Sequence, residues 1–173
     1  ILVERGLLRI NDPVKRYLPE FKSWNSSNKD STDIRIIDLL THTSGLPAYA
    51  SVNTLQKQFG TPTPQKLMQY IAQCQRDFKP ETAMQYSCLN YITLQNIVER
   101  VSKQSLRTFA AENIFIPLGM NHTDFLPCSQ DKNGRWKSIS APRWIKNGER
   151  EGVTPIAPTE KQPDGKVKKG QVH

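Results

Sequence analysis

The chain has 173 residues, enough for one domain with a core, and a formal net charge of +8. Apart from Lys161, Lys166, Lys168 and Lys169, which read as a solvated hairpin or tail, its basic residues are spread along the sequence rather than clustered with aromatics, which argues against a nucleic-acid surface and for a solvated basic exterior. No apolar run approaches the ~20 residues that span a bilayer, and the three cysteines, Cys74, Cys88 and Cys128, lack the C-x-x-C spacing of a zinc site.

Taken in order, Ile1-Leu-Val-Glu-Arg-Gly6 reads as the last turns of a helix with a glycine stop, a pattern that suggests a piece of something longer. Asn11-Asp12-Pro13 marks a short helical start, with Asp12 as the expected cap and Pro13 at the first position; Pro19 stops it. Trp24 to Thr32 is a polar loop, and Ile34 to Ile36 suits a very short strand. A helix is predicted from Ile36 to His42, ending near Gly45 and Pro47. Thr63-Pro64 caps another, running to about Cys74 with Leu67 and Ile71 inward.

The strongest pattern runs from Leu89 to Ser102. Leu94, Ile97, Val98 and Val101 fall on one helical face, with Gln95, Asn96, Glu99 and Arg100 opposite. Ser105 is the expected cap of a last helix that buries Leu106, Phe109, Ala110 and Ile114 and ends at Pro117-Leu-Gly119. Beyond Leu126 the pattern gives way to glycine, proline and charge, with short extended pieces expected at Val153 to Thr159 and Lys166 to His173. The fold class is therefore mainly α with long loops and few short strands. It divides into a helical portion, 1–125, and a loop-rich extension, 126–173.

Tyr86 and Ser87 stand on a turn directly ahead of the best helix, behind the break at Pro80. A phenol there can move protons for a nucleophile, provided nearby positive charge eases its ionisation from the ordinary value of about 10. The bland reading is a half-buried tyrosine that packs the helix start.

Four blocks bear on this choice: Leu39-Leu-Thr-His-Thr-Ser-Gly-Leu-Pro47, Tyr86-Ser87, Ile97-Val-Glu-Arg-Val-Ser102 and Ile114-Phe-Ile-Pro-Leu-Gly-Met120. In this order they resemble the serine β-lactamase and penicillin-binding-protein superfamily, in its class C β-lactamase, D-Ala-D-Ala carboxypeptidase and esterase branch. The opening residues through Pro13 resemble the segment after that family's nucleophile helix. Ile156-Ala-Pro-Thr-Glu160 and Gly170-Gln-Val-His173 look like a later stretch of one subgroup.

The resemblance implies the middle, helical-subdomain portion of an α/β fold, and an acyl-serine mechanism acting on a β-lactam, a D-Ala-D-Ala-like peptide or an ester. It implies no metal or organic cofactor, and a periplasmic or secreted location. Tyr86 matches the first position of the family's Tyr-x-Asn motif and would relay protons. Ser87 and Cys88 would line the substrate pocket. Cys88 stands where asparagine is usual, and a thiol is a weak donor and poor acceptor for a substrate amide. The Ser-x-x-Lys motif is expected before Ile1 and the Lys/His-x-Gly motif after His173, so the chain alone should form no acyl-enzyme.

Ser26-Ser-Asn-Lys29 and Ser129-Gln-Asp-Lys132 spell the first motif but sit in polar loops, and Lys168-Lys169-Gly170 imitates the third. Ser44 reads as a turn residue and His42 as a structural histidine bonded to backbone. A thiol pair of Cys88 with His42 or His122 has no support in the spacing. Trp24, Trp136 and Trp144 read as loop anchors or, alternatively, as the lining of a substrate entrance. The competing reading is a non-catalytic binding or structural module of the same fold. Either way, helices meant for a sheet elsewhere should leave apolar surface prone to self-association.

Overall fold

The computed structural model describes residues 1–25, 27, 29–61, 63–120, 123 and 125, with the backbone of four short strands. Contacts divide the chain into two units, Ile1–Leu106 and Arg107–His173. The secondary structure described is mainly helical.

The first unit opens on the expected glycine stop. Gly6 takes φ +69°, its N–H bonds Val3 O (2.9 Å), and Leu7 N–H reaches Leu2 O (3.0 Å). This is the Schellman pairing, here closing a turn over residues 2–6 rather than the end of a described helix. Asp12 does not cap the 3-10 turn Val14–Arg16: no side chain caps it, and Val14 N–H goes instead to Ile34 O (2.8 Å). The Asp12 carboxylate accepts from Tyr17 Oη (2.5 Å) and Arg16 (3.3 Å), partners a three-residue turn leaves within reach. The Ile34–Ile36 segment contributes only a single bridge, Pro13 with Arg35.

Helix α1 (Ile36–Leu40) starts where the Arg35 N–H donates to Asp38 Oδ2 (2.7 Å). It stops short of His42, which adopts a left-handed backbone at φ +60°. Helix α2 (Val52–Phe59) was not expected; Leu55 is its one buried residue, too little for an apolar period to show. Helix α3 (Pro64–Gln73) is capped by Thr63, whose side chain accepts Lys66 N–H (3.3 Å). Ile71 is fully buried on it, while Leu67 is half-buried.

Arg76 closes the far end of α3. Its guanidinium donates to the Ile71 and Cys74 carbonyls (2.9 and 2.6 Å) and to Lys22 O (2.9 Å), and lies 4.7 Å from the Phe21 ring centre. Burial lowers its pKa from the usual arginine value, partly offset by the Cys74 thiol. A cation at a helix C-terminus also meets the negative end of the macrodipole.

Helix α4 (Cys88–Ser102) packs against α1 and α3 around Val14, Leu39, Ile71, Leu89 and Ile97, all nearly or wholly buried. Each such side chain contributes roughly 1.5–3 kcal/mol by leaving water. The buried face is turned from the expected one: Leu89, Asn90, Thr93 and Ile97 are buried, whereas Leu94, Val98 and Val101 are half-buried.

The second unit continues α5 (Leu106–Ala110) into a π-helical turn, Ala111–Phe115, where Ile116 N–H bonds Ala111 O (2.9 Å). Phe109 and Ala110 are buried, Ile114 is half-buried, and Gly119 at φ +65° follows. Two antiparallel pairs complete the description: β1 (Cys128–Gln130) with β2 (Trp136–Ser138), and β3 (Pro158–Lys161) with β4 (Val167–Lys169). β3 overlaps the end of the extended piece expected at 153–159, and β4 lies within that at 166–173; the rest of both stretches is outside the described residues. The first pair was not expected. No helix among the described residues is long and apolar enough to cross a membrane.

Candidate active site

The turn that carries Tyr86 is laid along the loop that follows α1. Asp77 N–H bonds Gly45 O (2.7 Å), Glu81 N–H bonds Thr43 O (2.9 Å), and Gln85 N–H bonds His42 O (2.9 Å). Ser87 Oγ then donates to Pro47 O (2.6 Å), and Cys88 N–H bonds Ala48 O (3.0 Å). Residues 42–48 thus act as a template for residues 77–88. A loop fixed by so many main-chain bonds can hold a side chain as a strand would.

Close approach demands glycine at one point. A Cβ at Gly45, already at φ +75°, would overlap the Phe78 carbonyl oxygen. Two non-glycine residues of the paired segments, His42 and Glu81 (φ +69°), also sit in the left-handed region. That backbone costs an ordinary residue roughly 1–2 kcal/mol, so surrounding bonds must hold it. At Glu81 one of these is an ion pair with Arg35, which also binds Asp38. Asp38 and then Glu81 raise the Arg35 pKa above its usual value.

Behind the turn lies a buried polar chain. Ser87 is fully buried as the N-cap of α4, its hydroxyl accepting Leu89 N–H (3.2 Å) while donating to Pro47 O. Ser87 N–H points to His42 Nδ1 (3.3 Å), which also meets Asn90 Nδ2 (3.0 Å). Asn90 Oδ1 accepts from Ser44 Oγ (2.6 Å), and Ser44 Oγ accepts Leu46 N–H (3.1 Å). Every polar atom of Ser44 and Asn90 side chains named here is paired, as burial requires.

In front of the chain, the phenol is open. Tyr86 is 66% exposed, and its ring lies 4.7 Å from that of His42, centre to centre. Tyr91 flanks the same imidazole at 5.4 Å. Cys88, at the first position of α4, is a free and exposed thiol. The structure therefore brings Tyr86, Ser87 and Cys88 together at one helix start, with Ser87 facing in and Tyr86 and Cys88 facing out.

Other residues singled out from sequence fall elsewhere. Ser44 is a buried turn residue, and His42 does bond backbone. Lys29 lies in a turn rather than a helix, and Ser26 is outside the described residues. Ser129 lies on β1, while Lys132, His122, Trp144 and Gly170 are outside the described residues, as are the side chains of Cys128, Trp136, Lys168 and Lys169. Trp24 anchors its loop through a bridge to Thr32. Cys74 is partly covered, and burial pushes its thiol pKa up against the pull of Arg76. Among the described residues no group of three or more His, Cys, Asp or Glu could hold a metal.

Asn90 is the residue that sequence reading missed. A signal existed: Asn90 is in line with Ile97 on the apolar face, and a polar residue in such a stripe needs a buried partner.

Comparison with known proteins shows the family. The Beta-lactamase family model matches residues 1–167. A protein of Salmonella agona (strain SL483) named "Putative D-alanyl-D-alanine carboxypeptidase" is 32% identical over 130 residues, covering 73% of this chain and 30% of that protein. The Beta-lactamase/D-alanine Carboxypeptidase from Yersinia pestis, solved with citrate, is 28% identical with a TM-score of 0.60, covering 73% of this chain and 36% of that one. The octameric penicillin-binding protein homologue from Pyrococcus abyssi shares the fold at 24% identity and a TM-score of 0.58, over 79% of this chain and 34% of its own. The chain spans about 30% of the length of the curated relatives it matches. It belongs to the beta-lactamase family, within the serine β-lactamase and penicillin-binding-protein superfamily.

Proposed function

We propose that this chain is the helical middle portion of a serine hydrolase, and that Tyr86 is its proton relay. One observation carries the reading: the Tyr86 phenol stands exposed on a turn whose backbone is fixed by bonds to residues 42–48 and by the Ser87 cap. Preorganisation of this kind is what a proton-transfer group requires.

In the whole protein, a serine from outside residues 1–173 attacks the substrate carbonyl and its proton passes toward the site's base. The carbonyl bond to the leaving group breaks, and Tyr86 hands its phenol proton to that group, regaining one from the base that took the serine's. Water then attacks the acyl-serine, releasing the acid and restoring the serine. Residues 1–173 by themselves form no acyl-enzyme. Of the two internal Ser-x-x-Lys matches, Lys29 lies in a turn and Ser129 on β1, which supports this assignment.

The substrate is an acyl compound, and the site favours an ester over an amide. Cys88 offers a thiol where a carboxamide would grip a substrate amide. Asn90 cannot replace it, being fully buried with both ends of its amide engaged. The same thiol is what favours the second reading, a non-catalytic module.

The full-length protein decides between them. It should turn over p-nitrophenyl esters, and Tyr86→Phe should lower kcat by about 10²–10⁴-fold. Turnover unchanged in Tyr86→Phe sinks the relay. A full-length protein that neither turns over esters or nitrocefin nor takes a fluorophosphonate label supports the module instead.

A further inference from the structure

We infer that His42 is the positioning residue for Tyr86, with Asn90 and Ser44 holding its ring in one tautomer. The inference rests on the reading of Tyr86 as the proton relay and extends it to residues that the sequence motif does not contain.

A backbone N–H can only donate, so Ser87 N–H fixes His42 Nδ1 as an acceptor. Asn90 makes the same demand independently. Ser44 Oγ accepts Leu46 N–H and donates its proton to Asn90 Oδ1, which turns the amide NH₂ toward Nδ1. Two donors therefore converge on Nδ1, and the proton of the neutral ring resides on Nε2. The ring so fixed is the surface against which Tyr86 rests, tilted 42° at 4.7 Å between centres. Tyr91 bounds its other contact.

The backbone supports a dedicated role. His42 is held at φ +60°, where asparagine or glycine is more at ease, and its carbonyl also accepts Gln85 N–H (2.9 Å), the residue before Tyr86. One residue thus grips both sides of the phenol: Gln85 through its main chain and Ser87 through its ring. Any shift of the imidazole moves the phenol relative to the reacting atoms, and misplacement by about 1 Å can cost 10²-fold in rate.

The test uses the full-length protein and four variants. His42→Asn keeps an acceptor near the Nδ1 position and tolerates the left-handed backbone, but removes the ring. It should lower kcat for a p-nitrophenyl ester by about 10–10²-fold, with KM little changed. Tyr86→Phe reports on the relay itself. The double variant should be no slower than Tyr86→Phe, because His42 acts through Tyr86. A wild-type kcat in His42→Asn, or losses that multiply in the double variant, overturns the positioning role while leaving the relay intact. Unchanged turnover in Tyr86→Phe overturns both. Should His42→Asn fail to fold, nitrogen-15 NMR of the wild-type protein still decides: Nε2–H is expected, and an Nδ1–H signal for His42 refutes the inference. Asn90→Asp removes one of the two donors at Nδ1 and sets a carboxylate there against Ser87 N–H; it should lower kcat with KM little changed, and a wild-type kcat would count against Asn90's part in holding the ring.

Discussion

Gly45 passes so close to Phe78 that any side chain at residue 45 would overlap the Phe78 carbonyl oxygen. The contact lies in the middle of the paired segments, between the bond at Asp77 and the bond at Glu81. Gly45→Ala should destabilise the chain by about 2–4 kcal/mol, from left-handed strain and from displaced backbone together. Chemical denaturation measures this. The displacement should also reach Tyr86, so the full-length variant should lose activity even at temperatures where it remains folded.

Cys88→Asn should change preference rather than stability. The side chain is exposed at the first position of α4, and the cap beneath it is supplied by Ser87. A restored carboxamide adds about one hydrogen bond to a substrate amide, worth roughly tenfold in kcat/KM for nitrocefin relative to a p-nitrophenyl ester. An unchanged ratio would show that this position does not touch the substrate.

Much of the helical framework could be read directly, because its signals are local. Thr63-Pro64 announces a helix start by its side-chain chemistry and α3 begins there, while α4 begins at Cys88, one residue ahead of the start read from its apolar pattern. Asp12 has the same chemistry but is captured by Tyr17 and Arg16, a competition no cap rule anticipates. The Tyr86 turn was legible as a motif. Its support was not, since Ser87 and His42 are 45 residues apart and main-chain bonds across that span leave no periodic trace. Asn90 was passed over because the apolar residues around it suffice to define a helix.

Acid should weaken the fold in a defined window. The Tyr17 phenol and then Arg16 hold the Asp12 carboxyl below its ordinary range. Burial pushes Asp33 up, but Lys15 and Ser23 outweigh it and leave that carboxyl depressed as well. Both groups have a lower pKa folded than unfolded, so their stabilisation is complete above about pH 4 and is lost as pH falls through the folded values. Melting temperature should hold from pH 7 to about 5 and decline below about 4. Asp12→Asn should melt lower at neutral pH and show a shallower decline; an equally steep acid limb would rule Asp12 out as a contributor.

Residues 1–173 in isolation should self-associate. Val52, Met84 and Leu118 are each at least 64% exposed, and Leu7 is 51% exposed. Large exposed apolar side chains in number favour association over a dispersed monomer. Sedimentation velocity at tens of micromolar should show dimers or larger species, whereas a single monomeric species would contradict this.

The pairing of residues 42–48 with 77–88 has a consequence for how such a protein can vary. The chain leaves the pair at Ala48 and re-enters at Asp77, and both of those residues are anchored by main-chain bonds. The excursion between them is closed at its neck, and its later part, α3, packs on α4 through Ile71. Within the excursion, α2 contributes one buried side chain, so the described residues from Tyr49 to Thr63 carry little of the core. Doubling the length of such a loop costs only about 0.6 kcal/mol in closure entropy. Insertions and deletions there can change the surface beyond Ala48 while the register of the Tyr86 turn stays fixed by the paired segments.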